Sequence, residues 1–258
     1  MSRVARNVSN ILREESHFSQ VADALAAVEA GADAIGLNFS ATSKRHVSGS
    51  NAQTIVRAVR SRSTTVKFVG VFVEQSPGEV EALVDQVDLD LIQLHGDQDV
   101  SVLARTWSRP VLWVARVPMG GGPELAERLG TIAQSVVARS GWTLGSESPP
   151  ERKKLAGILV DAFAPGNYGG TGQTVAWEPL GQRDSWSALG WSPTAWPTGL
   201  PLVLAGGLNP QNVATAIQQA RPSAVDVASG VESAPGIKSR EQMFAFVAAA
   251  RESFGDRA

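Results

Sequence analysis

The stretch Val66–His95 reads VKFVGVFVEQSPGEVEALVDQVDLDLIQLH, and its pattern decides the fold class. Val66–Val73 is apolar at most positions and rich in β-branched residues, as a strand covered on both faces requires. Pro77–Val87 switches to a period in which Val80, Leu83, Val84 and Val87 share one helical stripe. Leu89–His95 then returns to a nearly continuous apolar run. Strand, helix and strand in so short a span imply parallel pairing through a right-handed crossover.

The same unit recurs in both directions along the chain. Upstream lie a weak strand at Arg3–Asn10, a helix at Val21–Ala30, a strand at Ala32–Phe39 and a helix at Asn51–Arg60. Downstream, strands at Val111–Val117, Gly157–Asp161, Leu200–Ala205 and Ala224–Ser229 are interleaved with helices. Those helices are expected at Asp99–Thr106, Pro123–Ala138, Asn212–Ala220 and Arg240–Ser253. Eight such strands in 258 residues predict an α/β fold, a (β/α)8 TIM barrel, as a single domain over residues 1–258. An open doubly wound sheet fits less well, because no Gly-x-Gly-x-x-Gly turn follows the first strand.

Two connections exceed the usual length and read as insertions after strands five and six: Pro118–Lys154 and Gly181–Gly199. The second carries Trp186, Trp191 and Trp196, interspersed with Pro193 and Pro197, a spacing that follows no helical stripe. These rings are expected to cover the barrel flank as extra core; the alternative is an exposed anchor for a partner.

Composition narrows the function. The 23 Lys and Arg against 25 Asp and Glu leave a net charge of -2, with no global attraction toward nucleic acid or an anionic membrane. Cysteine is absent, which excludes disulfides, thiolate catalysis and cysteine-bound metals, and three His without a cluster argue against a zinc site. No apolar run reaches the roughly 18 residues of a membrane span, and MSRVARNVSN lacks a signal peptide's apolar core, so a cytoplasmic location is expected. Neither a nucleic acid nor a membrane is expected as a partner, and the protein is expected to act as a monomer or homodimer.

In a barrel of this kind, reacting groups sit at the C-terminal strand ends. Strand six ends in Asp161, either a helix cap or an acid in the site. The loop after it, with Gly166, Gly169, Gly170 and Gly172 around Tyr168, is suited to closing over a ligand. Strand seven runs into AGGLNP and strand eight into ASGVES. Gly206 and Gly207 facing Ser229 and Gly230 across adjacent strands make a cradle of backbone N–H groups for a phosphate dianion. Taken singly, either turn is only a tight strand-to-helix connection. Arg45 follows strand two and offers a bidentate fork for a carboxylate, although a lone Arg in a polar loop is often merely solvated. His95 ends strand four, as a proton carrier or polar wall of the site, or as an inert buried histidine.

The stretches AGADAIGLNFSATSKRHVS, VGVFV, IQLHGD, LVDAFAPGNYGGTGQTVAW, LAGGLNPQNV and VDVASGVESAPGIK together resemble the phosphoribosylanthranilate isomerase family, in the family's order from Ala30 to Lys238. The resemblance implies an Amadori rearrangement of N-(5-phosphoribosyl)anthranilate to 1-(2-carboxyphenylamino)-1-deoxyribulose 5-phosphate in tryptophan biosynthesis. An acid protonates the ribose ring oxygen and opens the sugar to a Schiff base. A base then removes the C2 proton, giving an enolamine that tautomerises to the ketone. On this likeness Asp161 matches the general acid and Arg45 the grip on the anthranilate carboxylate. Gly206, Gly207, Ser229 and Gly230 match the phosphate cradle, with Asp226 beside it. His95 and Gly170 fall among the substrate-binding positions. The chemistry implied needs neither cofactor nor metal.

One departure stands out. The family's first strand reads Lys-Ile-Cys-Gly, with the Cys as general base, whereas Asn7-Val8-Ser9-Asn10 places Ser9 in that slot. A serine hydroxyl is a poor base unless a neighbour takes its proton. The segment between Ile11 and Ala24 is longer than the family's, so Glu14, Glu15, Ser16 and His17 are alternatives to Ser9. The sequence thus points to a divergent member lacking the catalytic Cys. Two other readings stay open: a relative acting on another sugar phosphate, and a phosphate-ligand binder without turnover.

Overall fold

The computed structural model describes residues 14–15, 20–95, 99–118, 123–140, 155–163, 176–190, 192–193 and 195–255. Strand β1 (Glu14–Glu15) and helix α1 (Val21–Ala30) lead into β2 (Ala34–Asn38), α2 (Gly49–Arg60), β3 (Lys67–Phe72), α3 (Pro77–Val87) and β4 (Leu91–Leu94). There follow β5 (Val111–Pro118), α4 (Pro123–Ser140), β6 (Leu155–Phe163), α5 (Trp177–Gly181), β7 (Leu202–Ala205), α6 (Val213–Ala220) and β8 (Ala224–Asp226). A hairpin of β9 (Glu232–Ala234) and β10 (Ile237–Lys238) precedes α7 (Arg240–Phe254).

The eight main strands form one sheet in the order β1-β8-β7-β6-β5-β4-β3-β2, every pair parallel. Strand β1 also lies beside β2, so the sheet curls back on itself. The strands are continuous in apolar character because they serve two cores. Ala34, Val69, Leu91, Leu112, Val114, Leu159, Val203, Ala205 and Ala224 fill the inside of the curl. The alternate residues, among them Ile35, Phe68, Ile92, Ile158, Leu204 and Val225, join the outer layer with Ile55, Val84, Leu129 and Phe246 of the helices. Each Val, Leu or Ile so buried contributes roughly 1.5–3 kcal/mol.

Strand periodicity of two carries the inner set toward the C-terminal ends of the strands. Two residues beyond Leu91 is Gln93, beyond Val114 is Arg116, beyond Leu159 is Asp161 and beyond Ala224 is Asp226. The polar residues at one end of the barrel thus follow from the same alternation that builds its core.

Two local expectations change. The helix predicted at Asp99–Thr106 is a 3₁₀ segment, Val100–Ala104. Leu103 is its one fully buried residue, with Val100 and Val102 packed partly against the core. The Val102 carbonyl accepts from the Arg105 amide three residues on at 3.3 Å and from the Trp107 indole at 3.1 Å. The strand beside β8 is Glu14–Glu15, with Glu14 opposite Val225 and Glu15 opposite Asp226. The predicted first strand, Arg3–Asn10, lies outside the described residues.

The second insertion joins the core. Trp186 is fully buried and Trp196 nearly so, their rings meeting edge to face with centroids 6.1 Å apart. Each indole N–H has a carbonyl partner, Pro179 for Trp186 at 2.8 Å and Leu200 for Trp196 at 2.9 Å. Arg183 fastens the segment to the end of α6 through the carbonyls of Ala220 and Arg221. Trp191 lies outside the described residues.

Candidate active site

Asp161 stands near the C-terminal end of β6, in register with Arg116 on β5 and Ala205 on β7. Its Oδ2 lies 3.3 Å from Nε2 of His95, the residue that follows β4. Both side chains are about a quarter exposed, so the pair is reachable from solvent while the barrel wall supports it. A carboxyl group in that position is of the type that hands a proton to a ligand oxygen, and the imidazole lies beside it.

Ala205, the neighbour of Asp161 in the sheet, is followed directly by Gly206 and Gly207. These two adopt φ values of 84° and 71°, the left-handed region that side chains disfavour. The turn is fastened by its own sequel. Asn212 donates through Nδ2 to the Gly207 carbonyl at 3.0 Å, and its Oδ1 accepts from the Asn209 amide at 2.8 Å. Asn209 Oδ1 in turn accepts from the amides of Gln211 and Asn212. After β8, Gly230 meets this turn backbone to backbone: a Cβ added there would stand 1.8 Å from the Leu208 carbonyl oxygen. The two small-residue turns are therefore in contact, and exposed amides without side chains are what a phosphate group requires. Asp226 is buried at the end of β8, and Ser229 opens the short 3₁₀ turn beyond it.

Arg45 sits in the loop after β2, which is held at both margins. Glu74 accepts from the Ala41 amide at 2.8 Å and from Ser40 Oγ at 3.1 Å, and the Val47 amide bonds back to the Asn38 carbonyl. The Arg45 guanidinium is gripped side-on by Glu232, with Nε to Oε1 at 2.6 Å and Nη2 to Oε2 at 2.8 Å. Lys238, its side chain fully buried, donates to Glu232 Oε1 at 3.2 Å and to the Ala228 carbonyl at 2.7 Å. Burial pushes the Lys238 ammonium down to about 8, with the Glu232 charge opposing the shift. Burial raises the Glu232 carboxyl, but the Arg45 hydrogen bond and the charges of Lys238 and Arg45 outweigh it and hold the group below its ordinary value.

The structure thus brings together Asp161 with His95, and Gly206 and Gly207 with Gly230. Ser9 and Gly170 lie outside the described residues. Sequence reasoning missed Glu232 and Lys238 as partners of Arg45, although both stand in the ESAPGIK run. A carboxylate and a lysine flanking a Pro-Gly turn, next to a candidate phosphate loop, were the available signal. It also missed the reciprocal Asn209–Asn212 clasp, which the Asn-Pro-Gln-Asn spacing encodes.

The family model described as N-(5′-phosphoribosyl)anthranilate (PRA) isomerase matches residues 14–116 and 125–249, starting where β1 starts. A protein of that name from Pseudomonas fluorescens (strain SBW25) is 38% identical over 257 residues, covering 99% of each chain. Another from Pseudomonas aeruginosa (strain LESB58) is 40% identical over 234 residues, covering 91% of this chain and 92% of the relative. Among solved structures, phosphoribosyl anthranilate isomerase from Thermotoga maritima superposes with a TM-score of 0.69 at 30% identity, covering 93% of this chain and 99% of that one. A structure of that enzyme family in complex with reduced 1-(o-carboxyphenylamino)-1-deoxyribulose 5-phosphate gives 0.67 at 27% identity, covering 94% of this chain and 99% of that one.

Proposed function

The chain belongs to the N-(5′-phosphoribosyl)anthranilate isomerase family, and from that premise we propose how it carries out the Amadori rearrangement of this substrate in tryptophan biosynthesis. Asp161 is the general acid. It protonates the ribose ring oxygen, and His95 orients its carboxyl group. The phosphate end of the substrate sits on the amides of Gly206, Gly207, Ser229 and Gly230, beside Asp226. Arg45 meets the anthranilate carboxylate, and Gly170 belongs to the substrate-binding set. The observation that carries the reading is the register of Asp161 with Ala205, which sets the acid one strand from the glycine turn.

The base comes from the first-strand segment. The β1 strand at Glu14–Glu15 and a family match that begins at residue 14 support reading the Lys-Ile-Cys-Gly slot as Glu14–His17, with Ser16 in the cysteine's place, beside the reading of Asn7–Asn10 that puts Ser9 there. In the sequence Ser16 stands between Glu15 and His17, two residue types able to take a hydroxyl proton. The substrate is a small phosphorylated molecule, and the protein acts in the cytoplasm as a monomer or homodimer.

Product identification tests this reading. Substrate is generated in situ from anthranilate and phosphoribosyl pyrophosphate by a separate phosphoribosyltransferase, and the protein is added. The mixture is quenched with borodeuteride, which marks the product ketone at C2 and the imine of unreacted substrate at C1. The expected result is the carboxyphenylamino sugar phosphate deuterated at C2, in excess of the uncatalysed yield. Its formation only at the spontaneous rate would reject the isomerase.

A further inference from the structure

We propose that Glu232 and Lys238 are positioning residues for the substrate: Glu232 holds one edge of the Arg45 guanidinium and leaves the other for the ligand's carboxylate, while Lys238 ties the Glu232 carboxylate to the backbone beside the phosphate loop. The inference rests on the isomerase reading above and adds a coupling between the two ends of the substrate.

A guanidinium carries five N–H groups in one plane. Glu232 engages Nε and Nη2, one side-on edge of the fork. The Nη1–Nη2 edge is geometrically a second bidentate site, matched to a planar carboxylate such as that of an anthranilate. A flexible loop arginine would pay rotamer entropy to present that edge, and the bidentate clamp on a carboxylate only 5% exposed removes most of this cost in advance.

Glu232 is itself fixed from behind. Lys238 shares its Oε1, so one carboxylate is braced by two cations. The same ammonium bonds the carbonyl of Ala228, the residue before Ser229 and Gly230. Lys238 is too deeply buried to touch a ligand, so it acts through the groups that it holds. Arg45 and Glu232 are 187 residues apart in sequence, and Lys238 links both to the loop after β8. A shift of that loop on phosphate binding is transmitted to the arginine through three successive contacts, Ala228 to Lys238, Lys238 to Glu232 and Glu232 to Arg45. The chain of polar links is continuous from one end of the site to the other.

Calorimetric titration of the whole protein with two ligands tests this. One is the reduced product, and the other is the same compound without the ring carboxylate. Glu232→Gln is expected to weaken the carboxylated ligand by about tenfold, the scale of one charge-assisted contact, and the decarboxylated one by less than about twofold. In an Arg45→Ala background Glu232→Gln should cause no further loss, and Lys238→Met should weaken both ligands. In turnover, Glu232→Gln should raise KM while kcat stays within about twofold. Equal losses for both ligands, or a loss fully additive with Arg45→Ala, would overturn the proposal. Should Glu232→Gln fail to melt cooperatively, Glu232→Asp, which keeps the charge and withdraws it by one methylene, is held to the same outcomes. Failure of the wild-type protein to bind either ligand would remove the isomerase reading and this inference with it, whereas wild-type binding with the wrong variant pattern removes this inference alone.

Discussion

His95 Nε2 and Asp161 Oδ2 lie 3.3 Å apart, although one follows β4 and the other stands near the end of β6, strands separated in the sheet by β5. The contact joins Asp161 to a second titratable side chain at the C-terminal end of the strands. If the imidazole serves to orient the acid, His95→Leu should lower kcat by about tenfold and leave KM within about twofold. Steady-state kinetics on the purified variant checks the split. A tenfold rise in KM at unchanged kcat would move His95 from the acid to the binding wall.

The contact of Gly230 with the Leu208 carbonyl oxygen makes a steric prediction. Gly230→Ala places a methyl where 1.8 Å separates it from backbone oxygen, so one of the two loops must move. The expected cost is about 2 kcal/mol or more, with phosphate-ligand affinity lost in parallel. Gly207→Ala strains a φ of 71° and should cost about 1–2 kcal/mol. Urea unfolding and titration with the reduced product measure both effects.

Ser16, proposed for the cysteine slot, is separable from Ser9 by mutation. A thiol ionises several units below an aliphatic hydroxyl, so Ser16→Cys should raise kcat, by about tenfold or more if proton abstraction limits the rate. Ser9→Cys should leave it unchanged. The reverse outcome would return the first strand to Arg3–Asn10.

Lys238 gives stability a definite pH dependence. Its folded value of about 8 lies below the ordinary 10.5, so between these limits the unfolded chain binds more protons than the folded one. Stability relative to Lys238→Met should therefore rise as pH increases from about 8 toward 10.5, by up to about 3 kcal/mol at roughly 1.4 kcal/mol per unit. Below pH 8 the buried charge is carried by both states and the difference is flat. Glu232 acts in the opposite range: with its value lowered, the stability it contributes is present above about pH 4.5 and is lost as pH falls through the folded value. Urea melts of both proteins at pH 7.5 and pH 10 check the lysine; a difference that falls with pH would contradict it.

The sequence made the barrel legible because each strand–helix unit carries its own pattern. Val66–His95 announces two parallel strands, and α1 and α3 have the bounds that their apolar stripes predict. The alternation also makes Asp161 legible, since it lies two residues beyond Leu159 of the inner core. What local patterns do not carry is contact between distant segments. The Gly206–Gly207 turn is visible in sequence, but its apposition to Gly230 depends on the pairing of β7 with β8. Arg45 is visible as a lone cation, yet its partner Glu232 becomes identifiable only when the barrel closes. The Val100–Ala104 segment misled because its apolar spacing suits a helix, while its Val102 carbonyl is shared by the Arg105 amide three residues on and the Trp107 indole, a contact with no local pattern.

The central claim is that Asp161 is the acid of a working isomerase. N-(5′-phosphoribosyl)anthranilate, generated in situ, is followed by the decay of its fluorescence with the wild-type protein and with Asp161→Asn. The account predicts consumption well above the spontaneous rate, falling by about 10²–10⁴-fold in the folded variant. Equal rates for the two proteins would contradict the role of Asp161, and a wild type that binds the reduced product without consuming substrate would contradict the enzyme.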